Sequence, residues 1–169
     1  IRPQYDGQVV HGAGSYCDNC PSLSPETYLE VEGDRSFIYL TDDERFPGLV
    51  EDALFYLREI QEVCRRRGTR LVVVLIPDEM QVNEGLRREV QARFYPELAV
   101  GRWDDDQPGR ALVAGLEESA IEVLDLTPAF VLESAHDQLY RTRDSHWNIA
   151  GNRLAAGEIA SYLRASIPR

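Results

Sequence analysis

The chain has 169 residues, the length of one ordinary domain, and 43% of them are hydrophobic. Its net charge of −11 and pI near 4.7 give a surface that repels phosphate backbones and anionic lipids, so we expect neither nucleic-acid binding nor attachment to a membrane surface. No stretch approaches the roughly 18–20 apolar residues of a membrane-spanning helix, so no such segment is expected. All 18 basic residues are arginine, which excludes a lysine nucleophile.

The N-terminal stretch is predicted to be irregular. Glycine and proline recur through residues 1–35 and break any helical or strand periodicity. Residues 36–41 are interpreted as a short strand or an extended stretch. Regular structure is therefore expected only after residue 35.

Two cysteines, Cys17 and Cys20, are separated by two residues within this stretch. A tetrahedral zinc site would need a second pair of ligands nearby, and the sequence offers none. Two interpretations stay open, a local disulfide and a pair of free thiols. A disulfide would favour a protein exported from the cytoplasm.

From residue 47 onward, predicted helices alternate with predicted strands. The two strands are short apolar runs, rich in β-branched residues, of the kind that is covered on both faces in a parallel sheet. The alternation predicts right-handed βαβ units and an α/β fold. The expected strands are residues 70–76 and 121–126, and the expected helices are residues 47–67, 79–94, 108–119, 128–133 and 149–165.

Only these two strands are convincing, although both have the composition of central strands. A central strand needs a neighbour on each side to satisfy its backbone hydrogen bonds. Residues 1–35 offer no clear candidates for the missing strands. We therefore expect residues 47–169 to be the C-terminal part of a larger α/β domain, or a partner to supply the rest.

The chemically richest segment precedes the last predicted helix and contains Asp144 and His146. Residues two apart in an extended loop point the same way, so the Asp144 carboxylate is expected to accept a hydrogen bond from the imidazole of His146. Such a pair fixes the imidazole tautomer and leaves the other nitrogen free to take a proton from a hydroxyl nucleophile. Trp147 is expected to cover one side of the pair, and Asn148 to cap the following helix.

Other interpretations of these residues stay open. His146 could be an ordinary loop histidine, with Asp144 serving only as a cap or an ion-pair partner. A metal site could combine the pair with His11 or His136, the other two histidines. We expect an acid–base pair, with no metal and no cofactor.

Three stretches resemble conserved blocks of the SGNH (GDSL-type) hydrolase superfamily. Residues 140–156, YRTRDSHWNIAGNRLAA, are similar to its last block, in the bacterial branch with a D-x-H-W-N sequence. Residues 71–81, LVVVLIPDEMQ, resemble a strand that ends in proline, and residues 123–130, VLDLTPAF, resemble the segment before the catalytic loop. The likeness extends over roughly residues 47–165.

This resemblance implies a flavodoxin-like three-layer α/β/α sandwich with a parallel sheet, incomplete in this chain. It implies a serine-type esterase or O-acyl transferase in which His146 is the base and Asp144 orients it. Residues 1–46 are similar to the variable insertion found in long members of the branch. The substrate would be a small ester or an O-acylated carbohydrate.

The family's nucleophile block, G-D-S, has no match here. Gly33-Asp34-Arg35 places arginine where the nucleophile would stand, and Ser15 lies in a glycine-rich coil rather than at a strand-to-helix turn. We therefore expect the nucleophile to lie outside this chain, in an upstream segment. An alternative is a catalytically inactive SGNH-like domain that binds a glycan or a protein partner.

Overall fold

The structure is a computed structural model that describes residues 17–166. Seven α-helices, one 3₁₀ helix and two β-strands are found within that range. Their order along the chain is α1 (Pro25–Arg35), the 3₁₀ helix (Ser36–Tyr39), α2 (Arg45–Arg66), β1 (Val72–Leu75), α3 (Glu79–Val82), α4 (Glu84–Phe94), α5 (Gln107–Glu118), β2 (Glu122–Asp125), α6 (Thr127–Glu133) and α7 (Ile149–Ser166).

The two strands pair in parallel, with Val72 opposite Glu122 and Leu75 opposite Asp125. Alternate strand residues point to opposite faces, and each face is covered by helices. Side chains of α2 and α5, including Leu54 and Leu116, pack on one face. Side chains of α6 and α7, including Phe130, pack on the other. The predicted α/β fold with a parallel sheet between helical layers is confirmed, and the described sheet has two strands.

Residues 25–39 correct the prediction of an irregular N-terminal stretch. Ser24 caps α1 by accepting a hydrogen bond from the Thr27 backbone N–H at 3.2 Å, and Pro25 suits the first helical turn. Residues 36–41, predicted as strand or extended, begin with the 3₁₀ helix, and Leu40 forms an isolated bridge with Trp103. Few apolar residues in α1 mark its buried side, so the helix shows little periodicity from which it could be predicted.

The single helix predicted over residues 79–94 is two helices. Asn83 separates them with an extended backbone, at φ −110° and ψ 92°, and its side chain accepts from the Leu86 backbone N–H at 3.1 Å. Asparagine favours such a cap because its side chain competes with the helix for backbone hydrogen bonds. The break places Glu79 and Met80 beside α1 rather than in line with α4.

A second core lies beside the sheet and joins α1, the 3₁₀ helix, α3 and α4. Gly33 of α1 lies so close to α4 that a Cβ there would meet the Phe94 ring at 2.5 Å. Part of residues 1–46 therefore shares a core with elements that follow β1. None of the helices within residues 17–166 combines the length and the apolar character needed to cross a membrane.

Candidate functional site

The loop between α6 and α7 is anchored at the carboxyl end of β1. Tyr140 donates its hydroxyl proton to the Pro77 carbonyl at 2.6 Å, and Pro77 follows β1 by two residues. Tyr140 and Trp147 form an antiparallel bridge, and the Arg141 backbone N–H donates to the His146 carbonyl at 3.0 Å. This is the edge of the sheet at which ligands bind in open α/β folds.

Residues 141–146 form a tight turn between these backbone contacts. Arg143, at φ 50°, is in the left-handed region that non-glycine residues seldom adopt. The reversal brings the side chains of Asp144 and His146 to one side. The turn thus depends on a backbone conformation that is costly for arginine and is held by the flanking bridge.

The predicted contact between Asp144 and His146 is present. Asp144 Oδ1 accepts from His146 Nδ1 at 2.6 Å and from the His146 backbone N–H at 3.0 Å. Asp144 Oδ2 accepts from the Ser22 hydroxyl at 2.5 Å and pairs with Arg141 Nη1 at 3.2 Å. Burial raises the pKa of Asp144, but the hydrogen bonds from Ser22 and His146 outweigh it and hold that pKa below its usual value.

The imidazole has one engaged nitrogen and one free nitrogen. A carboxylate on Nδ1 favours the tautomer in which Nδ1 carries the proton and Nε2 accepts. No residue among 17–166 forms a hydrogen bond with Nε2, and 80% of the His146 side chain is exposed. The pair can therefore take a proton from a hydroxyl group that approaches Nε2.

A depression of about 510 Å³ adjoins the pair. Its lining combines His146, Arg141 and Asp144 with apolar side chains such as Leu23, Val31 and Trp147. The Trp147 ring packs on Phe130 at 4.9 Å between centroids, which fixes the wall next to the imidazole. A ligand group in this depression would meet a base, a cation and an apolar surface together.

Asn148 caps α7 as predicted. Its Oδ1 accepts from the Gly151 backbone N–H at 2.9 Å, and its Nδ2 donates to the Gln138 carbonyl at 2.5 Å. The Asn148 backbone N–H donates to the Leu139 carbonyl at 3.0 Å. The start of α7 is thereby tied to the residues that precede the tight turn.

Of the other sequence candidates, His136 is described by the structure and does not lie at this site. His136 lines a separate depression, and no group of three potential metal ligands occurs within residues 17–166. His11 and Ser15 lie outside the described residues. The structure adds Ser22, which the sequence could not connect with Asp144 because 122 positions separate them.

Cys17 and Cys20 form a disulfide, which answers the question left open by the sequence. Cys64, on α2, is a free thiol. The disulfide closes a short turn that immediately precedes Ser22. The N-terminal stretch thus contributes directly to the surroundings of the Asp144 carboxylate.

The fold, a parallel sheet between helices, and an Asp–His pair at its carboxyl edge define the chain as an SGNH-type α/β domain. Residues 37–169 match the family model described as "SGNH hydrolase-like domain, acetyltransferase AlgX", so the chain belongs to that family. No curated protein and no solved structure matches the chain significantly. This membership confirms the predicted SGNH superfamily. In general terms, it supports a domain of the SGNH acyltransferase or esterase type.

Proposed function

We propose that this domain takes part in serine-type acyl transfer on an O-acylated carbohydrate or a small ester, with His146 as the general base. The observation that carries the proposal is the 2.6 Å contact between Asp144 Oδ1 and His146 Nδ1, which leaves Nε2 free beside a depression. Family membership supports acyl chemistry, and a carbohydrate is the acceptor or donor that an acetyltransferase family suggests.

In the proposed reaction, Nε2 of His146 removes the proton of a serine hydroxyl as its oxygen attacks the ester carbonyl. The Asp144 carboxylate stabilises the imidazolium that forms. The imidazolium then protonates the departing alkoxide, leaving an acyl-serine and a free alcohol. Water or a carbohydrate hydroxyl, deprotonated in turn by His146, releases the acyl group and regenerates the serine.

The serine itself is assigned to a segment outside the described residues. Ser22 is close to the pair, but its hydroxyl donates to Asp144 and not to His146. A nucleophile must instead lie within hydrogen-bond reach of the base. We propose that residues 47–169 form the portion of the domain that supplies the base and the orienting carboxylate.

The test is turnover of p-nitrophenyl acetate by the protein in its native length. His146→Ala should reduce kcat by about 10³-fold or more, and Asp144→Asn by a similar factor, because each removes a partner in one proton-transfer unit. His136→Ala is the matched control, since His136 lines another depression, and it should retain wild-type turnover. Unchanged turnover in His146→Ala would contradict the assignment.

A second candidate is an SGNH-like domain that binds a glycan or a protein without catalysis. It is favoured by the free Nε2, which meets no hydroxyl among residues 17–166. This candidate predicts no turnover by the wild-type protein, together with saturable binding of an O-acetylated oligosaccharide in calorimetry. Turnover that depends on His146 would exclude it.

The Cys17–Cys20 disulfide supports an oxidising compartment as the site of action. Both cysteines lie in a short turn, and their pairing restrains the chain next to the Asp–His pair. We propose an extracytoplasmic location on this basis. Thiol labelling of protein taken directly from cells would show both cysteines blocked, and free thiols at both positions would contradict the location.

A further inference from the structure

The disulfide-closed turn and the residues after it form a short segment that lies against the Asp–His loop. We name residues 17–22 the strap. The strap precedes residue 37, where the match to the family begins, so the family match assigns it no role. Its contacts are concentrated on residues 141–149, which contain the pair.

The first part of the strap binds both ends of that loop through Asp18. Its carboxylate oxygens each accept from the Ile149 backbone N–H at 3.1 Å, at the start of α7. Its backbone carbonyl accepts from Arg141 Nε at 3.4 Å. A carboxylate at this helix N-terminus is also favoured by the helix dipole.

The rest of the strap adds two contacts between these ends. Asn148 Nδ2 donates to Asn19 Oδ1 at 3.2 Å. The Ser22 backbone N–H donates to the Thr142 carbonyl at 3.3 Å. The strap thus runs along the loop and fixes where the Ser22 side chain stands.

Ser22 binds Oδ2 of Asp144, the carboxylate oxygen that does not contact His146. Its hydroxyl donates to Oδ2 at 2.5 Å, while both hydrogen bonds from His146 go to Oδ1. Because 80% of the His146 side chain is exposed, packing does little to orient the ring. The ring orientation therefore depends on the carboxylate, which is held at Oδ2 by Ser22 and Arg141 and at Oδ1 by the His146 backbone N–H.

We infer that the strap is a positioning device for the Asp144–His146 pair and that Ser22 is its positioning residue. The disulfide restricts the strap to a turn that presents Ser22 to Asp144. Ser22 holds the carboxylate so that Oδ1 keeps the Nδ1 proton of the imidazole. The catalytic consequence rests on the proposed function, whereas the effect on the imidazole tautomer does not.

The decisive variants are Ser22→Thr and Ser22→Val, which have the same shape and differ only in the hydroxyl. Long-range ¹H–¹⁵N correlation spectra, recorded on the folded chain in alkaline buffer, report which ring nitrogen of His146 carries the proton. The wild type and Ser22→Thr should show protonated Nδ1. Ser22→Val and Ser22→Ala should shift toward the mixture of tautomers found in free imidazole.

Two further variants locate the effect. Cys17→Ser combined with Cys20→Ser opens the strap and should shift the tautomer in the same direction as Ser22→Val. Ser134→Ala is the matched control, because the Ser134 hydroxyl donates only to the Val131 carbonyl at the end of α6, and it should leave the tautomer unchanged. Backbone amide spectra confirm that each variant is folded.

Turnover of p-nitrophenyl acetate by the native-length protein forms the second readout. Ser22→Val should lower kcat about 10- to 100-fold, with a smaller change in KM, because a misplaced base affects mainly the chemical step. A wild-type tautomer in folded Ser22→Val overturns the inference, and so does a shifted tautomer with undiminished kcat. A shifted tautomer in Ser22→Val, combined with a wild-type protein that turns over no ester, supports the strap and contradicts the proposed function instead.

Discussion

Gly151 occupies a position in α7 at which no other residue fits without a rearrangement. A Cβ there would overlap the Leu139 carbonyl oxygen and lie 3.0 Å from Cβ of Trp147. The same carbonyl accepts the hydrogen bond of the Asn148 backbone N–H, so it cannot move away freely. The glycine therefore allows α7 to start directly against the Asp–His loop.

Gly151→Ala should lower the free energy of unfolding by about 1–3 kcal/mol, because the added methyl group overpacks a backbone contact. Gly157→Ala, in the same helix with no atom near the new methyl group, should instead raise it by up to about 1 kcal/mol. Urea unfolding with unchanged m-values measures both effects. Equal effects of the two substitutions would show that the close approach at Gly151 is unimportant.

At the scale of elements, α1 and α3 are joined by a buried charged cluster. Glu32 is fully buried and accepts three hydrogen bonds from Arg35, one at 3.0 Å and two at 2.8 Å, and Arg35 also pairs with Asp78 at 2.6 Å. Tyr28 donates to Glu79 in the same place. Burial, with repulsion from Asp78, raises the pKa of Glu32 to about 7 against the attraction of Arg35.

The raised pKa of Glu32 determines the direction in which its contribution to stability changes with pH. Because the pKa of Glu32 is higher in the folded than in the unfolded chain, the folded state binds more protons between about pH 4.5 and pH 7. The contribution of Glu32 to the free energy of unfolding should therefore fall as the pH rises through that window. Glu32→Gln should remove this fall, as measured by urea unfolding at several pH values in the window.

Glu122 provides a control whose pKa shift has the opposite sign, because hydrogen bonds from Arg70 and Tyr162 lower its pKa. Its contribution is present above the unfolded pKa and is lost as the pH falls through the folded pKa. Glu122→Gln should therefore reduce the loss of stability on acidification. A pH dependence of Glu32→Gln identical to that of the wild type would contradict the buried-acid explanation.

At the scale of the whole molecule, helices lie on both faces of the parallel sheet but leave its strand residues partly exposed. No residue of β1 or β2 is fully buried, although their composition is that of central strands. Each strand pairs, within residues 17–166, with only the other strand. Large apolar side chains are also exposed on the flanking helix α2, among them Phe55, Tyr56 and Ile60.

We expect the isolated 169-residue chain to have low stability as a monomer and to self-associate as its concentration rises, because open strand edges and apolar surface favour pairing. Sedimentation velocity across a concentration series, combined with urea unfolding, measures both properties. A monomer with one cooperative, high-midpoint transition would contradict this expectation.

Several features were determined by the sequence alone. The apolar runs that became β1 and β2, the helix of α2 and the Asp144–His146 spacing are local patterns, so they could be predicted from neighbouring residues. The division between residues 1–46 and 47–169, and the catalytic roles of the pair, stay predictions. The α/β class followed from the order of helices and strands.

Only the tertiary structure decided which distant groups surround that pair. Ser22 and Asp144 are brought together because a disulfide turn packs on the loop before α7, and no local pattern encodes a contact over 122 positions. The helix α1 was not predicted, for a related reason. It buries Glu32 and Gly33 at positions where a helix normally has apolar residues. Local periodicity reports the burial of apolar side chains, whereas these contacts depend on hydrogen bonds and close backbone approach.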